Sequence, residues 1–520
     1  MPSRSFLSDS PSGSSGPDLS GADPGAPGPS GSAGPDRCVA GAPTTSRDGD
    51  PPRRAGAWIP LLRRLHFYAG ILVGPFLIVA ALTGGAYAIA PSVEQIVYRD
   101  QLHTSSTGES RSLADQVGAA MRVRPDLTVS AVRPPAAPGD TTRVLFDDPS
   151  LGESERQAVF VDPVTLEIKG ELVSYGSAAA LPFRAWLSNL HRNLHLGDPG
   201  RIYSELAASW LWVVALGGVA LWISHVRRRR TAATDLVTLD RSAAGRNRTR
   251  NRHAVVGMWI VVGLVFLSAT GLTWSKYTGD NVTGLRSAMN WMTPTVNTEI
   301  SAPESAGAPA GSGHHGTDHG ADQEHSATLS TIPDLDRVLA AAHAAGVDGA
   351  IEVGIPSSAD TAFTVTQTRQ PWQFSPDSVA VDGATGRIVD ESRFADWPLA
   401  AQLTNWGIAL HMGILFGRLS QIGLLLLAIA LVAVIVRGYQ MWWQRRPRHS
   451  GPFGVGRPPA RGVLRRLSVP WTIALVAATV VVGWFIPLLG ISLVAFLVVD
   501  LALGLRTKRV RAQKKTTTSA

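Results

Sequence analysis

Cysteine is almost absent from this chain of 520 residues, which contains only Cys38. One thiol forms no disulfide within the chain, and covalent attachment of a c-type haem needs the motif Cys-x-x-Cys-His. The sequence therefore excludes both features. Cys38 lies in a stretch rich in Gly, Pro and Ser with few large apolar residues. That composition is typical of disorder, and residues 1–57 are predicted to form a disordered tail.

The sequence also lacks common catalytic motifs. No glycine-rich phosphate loop opens a helix, and neither a His-Glu-x-x-His motif nor a Gly-x-Ser-x-Gly nucleophile elbow is present. No flavin or nicotinamide site is recognisable. Electrons for any redox reaction would therefore have to come from a quinol or from a cytoplasmic reductase.

Charged residues are few, 17% of the chain, whereas 45% of the residues are hydrophobic. This balance suits a membrane protein with sizeable polar parts. The net charge of +8 does not indicate nucleic acid as a partner, because the Arg and Lys residues stand beside apolar runs. In that position they act as topology signals in a lipid bilayer.

Five apolar stretches are long enough to cross a bilayer, which takes roughly 20 residues. The first four predict the spans 58–90, 204–226, 253–275 and 401–437. The fifth stretch, 469–505, is too long for one span. Pro487 near its middle predicts a hairpin of two short spans, which gives about six spans in all.

Basic residues orient these predicted spans. They cluster in 227–252, in 438–468 and in the tail 506–520. The positive-inside rule places these segments and both termini in the cytoplasm. The segments 91–203 and 276–400 are then extracytoplasmic.

The chain contains an internal duplication. His66 matches His253, and Gly70 matches Gly257, at an offset of 187 residues. A second comparison, of LSNLHRNLHLG (187–197) with LTNWGIALHMG (403–413), matches His195 with His411 at an offset of 216. Two halves with the same order of spans and outer segment predict pseudo-twofold packing.

The two outer segments also resemble each other. Each has an amphipathic helix, at 112–123 and at 334–346, followed by strand-like segments with hairpin turns. The predicted fold class is an α-helical polytopic membrane protein with internal duplication. It has a four-helix core, a C-terminal hairpin and two small α+β extracytoplasmic domains.

The matched histidines predict a bound cofactor. A polar side chain near a bilayer needs a partner, because burying it unpaired is costly. Neutral imidazole is a good axial ligand for haem iron. Gly70 and Gly257 follow their histidines by one helical turn, where a missing side chain lets a porphyrin approach. The sequence thus predicts two b-type haems, held by His66 with His253 and by His195 with His411.

Further residues complete this interpretation. Arg201 and Arg418 are candidates for charge-assisted bonds to the haem propionates. His225 and His191 are candidates to replace a proposed ligand. The alternative interpretation is that each histidine is an ordinary snorkelling or capping side chain at the end of a span.

A separate group of histidines lies in the second outer segment, at 313–325. Its candidate metal ligands are His314, His315, His319 and His325. Histidines and acidic residues in a flexible loop bind transition metals. Their irregular spacing favours a polar linker with weak, unselective affinity.

The chain resembles the PepSY-associated transmembrane family, sometimes labelled iron-regulated membrane proteins. The resemblance is carried by LHFYAGILVGPFLIVAALTG, RHAVVGMWIVVGLVFLSATG, LHMGILFGR with WWQRR downstream, and the hairpins VFVDPVTLEI and VAVDGATGRIV, which look like PepSY domains. It covers about residues 58–448. The resemblance implies a bacterial inner-membrane protein. Some members resemble haem-containing reductases that release iron from ferric siderophores on the periplasmic side.

Three functions follow from these observations. The first is a transmembrane ferric-chelate reductase that carries electrons through two haems. The second is a membrane-anchored regulator of extracytoplasmic peptidases without redox activity, because PepSY domains resemble inhibitory parts of protease propeptides. The third is a metal-handling protein that acts through its His-rich loop.

Overall fold

The computed structural model describes residues 58–300, 331–358, 360–445 and 469–518. Its α-helices, in chain order, are α1 Trp58–Leu72, α2 Gly74–Val97, α3 Arg99–Leu102, α4 Leu113–Val123, α5 Pro182–Asn193, α6 Asp198–Arg229, α7 Gly245–Thr273, α8 Tyr277–Ala288, α9 Leu335–Ala344, α10 Leu399–His411, α11 Arg418–Trp443, α12 Val469–Phe485 and α13 Pro487–Thr518. Its strands are β1 Thr128–Arg133, β2 Thr142–Asp147, β3 Glu155–Val161, β4 Ile168–Tyr175, β5 Ile351–Gly354, β6 Phe363–Gln367, β7 Ser378–Val381 and β8 Ile388–Ser392. The predicted disordered tail and the His-rich loop lie outside the described residues.

Four helices, α2, α6, α7 and α11, are long and apolar enough to cross a membrane by length and composition. They overlap the four predicted core spans, but the predicted span 401–437 is divided between α10 and α11. Two shorter apolar helices follow, α12 and the part Pro487–Leu503 of α13, with a bend at Ile486 between them. The predicted hairpin is thus present as two helices, and α13 continues beyond its predicted end to Thr518. The total of about six spans stays a prediction.

The first span is divided into two helices, which the sequence analysis did not predict. Pro75 has no N–H to donate to the Ile71 carbonyl four residues earlier. The hydroxyl of Tyr439 on α11 donates to that carbonyl instead, at 2.7 Å. A Cβ at Gly74 would lie 2.9 Å from the same hydroxyl, so glycine is needed for this close approach. Pro75 was the signal in the sequence.

The two halves of the helical core match each other residue by residue. One offset along the sequence relates the first helices of the halves, and a different offset relates the second helices. A buried layer of four leucines takes one side chain from each of α2, α6, α7 and α11: Leu77, Leu211, Leu264 and Leu431. The first-helix pair of this layer, Leu77 and Leu264, is 187 residues apart, and the second-helix pair, Leu211 and Leu431, is 220 apart. Gly197 and Gly417, also 220 apart, precede α6 and α11 with φ of 63° and 54°.

The predicted second offset of 216 is therefore wrong. The letters Leu-His-x-Gly recur in both halves, but they occupy different structural positions. His411 is the last residue of α10, whereas α5 ends at Asn193 and leaves His195 in the loop beyond it. Sequence identity at the loop thus concealed a shift of one helical turn.

The two outer segments form one antiparallel sheet of eight strands rather than two separate domains. Its strand order is β4-β3-β2-β1-β5-β6-β7-β8. The halves join through β1 and β5, where Ala131 pairs with Gly354 and Val132 with Val353. Helices α4 and α9 cover one face of the sheet, with Val117 and Leu335 fully buried in the shared core. The joining strands β1 and β5 were missed, because pairing over such a distance along the chain leaves no local sequence pattern.

Candidate functional site

The structure brings His66 and His253 together. His66 lies on α1 and His253 on α7, and their ring centroids are 6.2 Å apart with an angle of 77° between the ring planes. Both rings lie inside the helical core, on the side of the basic loops. We call this pair the inner site.

Both inner imidazoles are fixed in the same way. His66 Nδ1 lies 3.0 Å from the Val214 carbonyl, and His253 Nδ1 lies 2.9 Å from the Val434 carbonyl. A carbonyl only accepts hydrogen bonds, so each Nδ1 carries the proton and each Nε2 keeps its lone pair. Metal-ligating histidines in proteins are oriented by this kind of second hydrogen bond.

A cavity of about 510 Å³ adjoins the inner pair and lies within the roughly 300–1,000 Å³ of ligand pockets. Gly70 and Gly257 line it, and a Cβ at either position would meet no atom within 4 Å. The two glycines singled out in the sequence therefore leave open space beside the histidines.

The mouth of the inner cavity is strongly basic. Four arginines line it: Arg63, Arg246, Arg250 and Arg445. No carboxylate side chain lines it among the described residues. The buried Nε atoms of Arg246 and Arg250 have no hydrogen-bond partner in that part of the chain. Burial, with the charges of Arg246 and Arg63, lowers the pKa of Arg445. From the sequence alone, these arginines indicate only the topology of the spans.

These residues fit the haem that the sequence predicts. Both imidazoles line the same cavity from helices of the two halves. The observed separation of the ring centroids is 6.2 Å. The glycines supply space for a flat group, and the unpartnered guanidinium nitrogens are suitable donors for its carboxylates.

The second pair differs from the prediction. His195 is exposed and stacks on Trp186 with 5.1 Å between ring centroids. His191, on α5, lines a cavity together with His411 of α10. The two are 220 residues apart, so His191 is the counterpart of His411 in the repeat. The pairing of His195 with His411 is corrected to His191 with His411, which we call the outer site. His191 had been only a possible replacement.

Matching threonines hold the outer imidazoles. Thr83 Oγ1 lies 2.9 Å from His191 Nδ1, and Thr270 Oγ1 lies 2.6 Å from His411 Nδ1. Each hydroxyl also donates to a carbonyl of its own helix, at 2.9 Å and 2.8 Å. The hydroxyl oxygens therefore accept from Nδ1–H, and Nε2 again keeps its lone pair.

The outer cavity is smaller than the inner one, about 130 Å³. The four-leucine layer lines both cavities and separates them. The donor set of the outer site fits a second haem, but its volume does not in this conformation. Leu267 and Leu427 are among the side chains that line this small cavity.

The remaining predicted residues lie elsewhere or have different surroundings. Neither Arg201 nor Arg418 lines the outer cavity, and Arg418 lies in a pocket beneath the sheet. At the offset of 220, Arg201 corresponds to Gln421 and Arg418 to Asp198, so the arginines are not equivalent. Their predicted bonds to haem propionates stay a prediction.

His225 lines the inner cavity and stacks on Trp222 with 5.3 Å between ring centroids. Its counterpart in the repeat is Arg445. It remains an alternative ligand. The histidines His314, His315, His319 and His325 lie outside the described residues. Within those residues, no group of three or more His, Cys, Asp or Glu side chains is arranged to hold a metal ion.

Comparison with known proteins identifies a family. The family model for the PepSY-associated TM region matches residues 63–445. That range includes both histidine pairs and the whole sheet, and it leaves out the C-terminal hairpin. No curated protein matches the chain.

Proposed function

The chain belongs to the family of PepSY-associated TM regions, and from that membership and its paired histidines we propose that it is a b-type haem electron-transfer protein of the bacterial inner membrane. It reduces ferric iron held in a chelate on the extracytoplasmic side. The observation that carries the proposal is the repeat of histidine pairs, each imidazole with Nδ1 engaged and Nε2 free.

Bound haem supplies one-electron transfer, and coordination by two imidazoles leaves no open position on the iron for oxygen. His66 and His253 would hold the inner haem. The Val214 and Val434 carbonyls keep both rings in the required tautomer. Arg246 and Arg250 would pair with its propionates and neutralise charge that is costly to bury.

His191 and His411 are the donor set of the proposed second haem, which needs more room than the outer cavity has in this conformation. Thr270, the partner of His411, lies far from His253 along the same helix, α7. On α7, the rise from His253 to Thr270 is about 25 Å, most of the roughly 30 Å thickness of a bilayer core. The leucine layer lies between the two cavities. This spacing supports electron passage across the membrane.

The proposed direction follows the charge distribution. The arginines at the inner cavity support a cytoplasmic location for that site, because basic residues favour that side by the positive-inside rule. A quinol or a cytoplasmic reductase is the proposed donor. The outer site then faces the sheet, where the chelate is reduced. Fe(II) is held less strongly than Fe(III) by hard oxygen ligands, so reduction releases the iron.

A vesicle assay tests this function. The full chain is reconstituted with haem into liposomes that contain dithionite, and ferric citrate with a colorimetric Fe(II) trap is added outside. Fe(II) should appear faster than in protein-free vesicles. His253→Ala should return the rate to that background, whereas His195→Ala, at an exposed loop position, should not. A wild-type rate equal to the background contradicts the proposal.

A further inference from the structure

A third cavity, of about 870 Å³, lies between the sheet and the outer ends of α2 and α11. We call it the sheet pocket. Tyr87 lines the outer histidine cavity, and Pro91, one turn further along α2, lines the sheet pocket. On α11, Leu424 lines the outer histidine cavity, and Gln421, three residues earlier, lines the sheet pocket. The sheet pocket therefore lies directly outside the outer site.

Arginine dominates the charged lining of the sheet pocket. Five contribute: Arg133, Arg143, Arg184, Arg369 and Arg418. Two of them are neutralised within the protein. Arg184 pairs with Glu94 at 3.0 Å, and Arg133 donates to Glu352 at 2.7 Å.

The other three arginines have no carboxylate partner among the described residues. Arg143 donates to the Ala179 carbonyl at 2.9 Å. Arg369 donates to the Ser177 hydroxyl at 3.1 Å, and its buried Nε has no hydrogen-bond partner. Arg418 is exposed at the first position of α11, where the helix dipole adds positive potential.

The acidic side chains of the lining are already engaged. Asp140 lies 3.1 Å from His103 Nδ1 and accepts from the Ala137 N–H, and Glu94 is paired as described above. Among the described residues, the lining of the pocket thus carries more positive than negative side chains.

Titration agrees with this imbalance. Burial, reinforced by the charge of Arg133, lowers the pKa of Arg143 to about 9. Burial also lowers the pKa of Arg369. In both cases the main cause is that burial removes water from around the cationic form. Buried charges in proteins are normally paired, and an incoming anion would supply the missing partner.

We propose that the sheet pocket binds a multiply charged oxygen anion through Arg143, Arg369 and Arg418. Guanidinium groups match carboxylate oxygens in a two-point geometry. The identity of this anion rests on the proposed function: the ligand is a ferric chelate that carries carboxylate or catecholate groups, and not a neutral chelate. The choice of an anion rests on the pocket alone.

Exposed apolar residues at the rim of the pocket point to a competing ligand. Ile89, Ile96 and Ile422 line it and are 37%, 76% and 55% exposed. Apolar residues at that place face lipid, and an anionic lipid headgroup shares the oxygen-anion chemistry. We commit to the soluble chelate, and lipid is an outcome of the test.

The test measures binding rather than reduction. Gallium(III) citrate is titrated by calorimetry into the full chain in a neutral detergent. Gallium(III) is not reduced, so the result is independent of haem and of electron transfer. Arg418→Gln and Arg369→Gln should each weaken binding about tenfold or more. Arg387→Gln, at an exposed hairpin turn of the same sheet, should leave the affinity unchanged. A neutral trihydroxamate complex of gallium should bind weakly to every variant.

Three results overturn the proposal. They are equal citrate affinity in wild type and both pocket variants, equal affinity for the charged and neutral complexes, and loss of citrate binding when phosphatidylglycerol is added at low concentration. The last result assigns the pocket to a lipid headgroup. Normal gallium citrate binding without iron reduction in vesicles contradicts the proposed function and leaves the anion site intact.

Discussion

Four imidazoles in this protein share one arrangement at the level of single atoms. Each presents Nδ1 to an acceptor on a neighbouring helix: a carbonyl at the inner site and a threonine hydroxyl at the outer site. This bond sets the tautomer and the ring direction, which a ligand to a metal requires. A snorkelling histidine needs no such bond, so the arrangement favours ligation.

Two neighbouring histidines give a sharp prediction at this scale. His191→Ala should remove the outer haem, because it deletes one of the two outer ligands. His195→Ala should retain both haems, because that ring is exposed and contacts Trp186. Haem content per chain, measured as the pyridine haemochrome, distinguishes the two variants. The opposite outcome, with loss in the His195 variant alone, would restore the original assignment.

The inner ligands could be predicted from the sequence, whereas the outer pair could not. His66 and His253 stand on helices that match without insertions, so one offset relates them. The outer helices differ in length before their histidines, and the identical Leu-His-x-Gly letters favoured the wrong residue. A buried contact with Thr83, which no linear pattern reports, identifies His191.

At the scale of whole elements, the C-terminal hairpin is attached to the core by specific polar contacts. Arg64 of α1 forms an ion pair with Asp500 of α13. Trp210 Nε1 donates to Ser492 at 2.9 Å, and Asn281 donates to the Phe485 carbonyl at 3.0 Å. Asp500, an isolated acidic residue in the last apolar run, is thus paired with an arginine that lies two residues before His66 in the sequence.

We predict that Asp500→Asn destabilises the protein by on the order of 2 kcal/mol. Removing one partner of a fully buried ion pair costs roughly 3–5 kcal/mol, and 26% of the Asp500 side chain is exposed. Thermal unfolding in detergent measures the change. Glu109→Gln, at an exposed position before α4, is the control and should unfold like the wild type. Equal melting of both variants would mean that the ion pair contributes nothing.

The strands show which secondary-structure elements a local sequence pattern can predict and which it cannot. The hairpin strands β3, β4, β7 and β8 were predicted, because turn residues separate two alternating runs. Strands β1 and β5 were missed, because their pairing depends on a partner in the other half of the chain. The break at Val73 was missed as well, although Pro75 requires it.

At the scale of the whole molecule, the two duplicated halves join into one structure. The helices meet around the four-leucine layer, and the outer segments merge into one sheet through β1 and β5. Residues of the merged sheet line one side of the sheet pocket, which lies directly outside the outer site. A chelate bound there would lie one helical turn from residues that line the outer histidine cavity. This stacking connects the anion site, the outer pair and the inner pair in one path.

The central claim is that imidazoles from the two halves hold haem, and one measurement tests it most directly. The full chain is purified after expression with ample haem, and its reduced-minus-oxidised spectrum is recorded with pyridine-haemochrome quantification. The account predicts a Soret and an α band of low-spin b-type haem, with two haems per chain and one in the His66→Ala variant. A colourless wild-type protein, or haem content unchanged in both His66→Ala and His253→Ala, would contradict it.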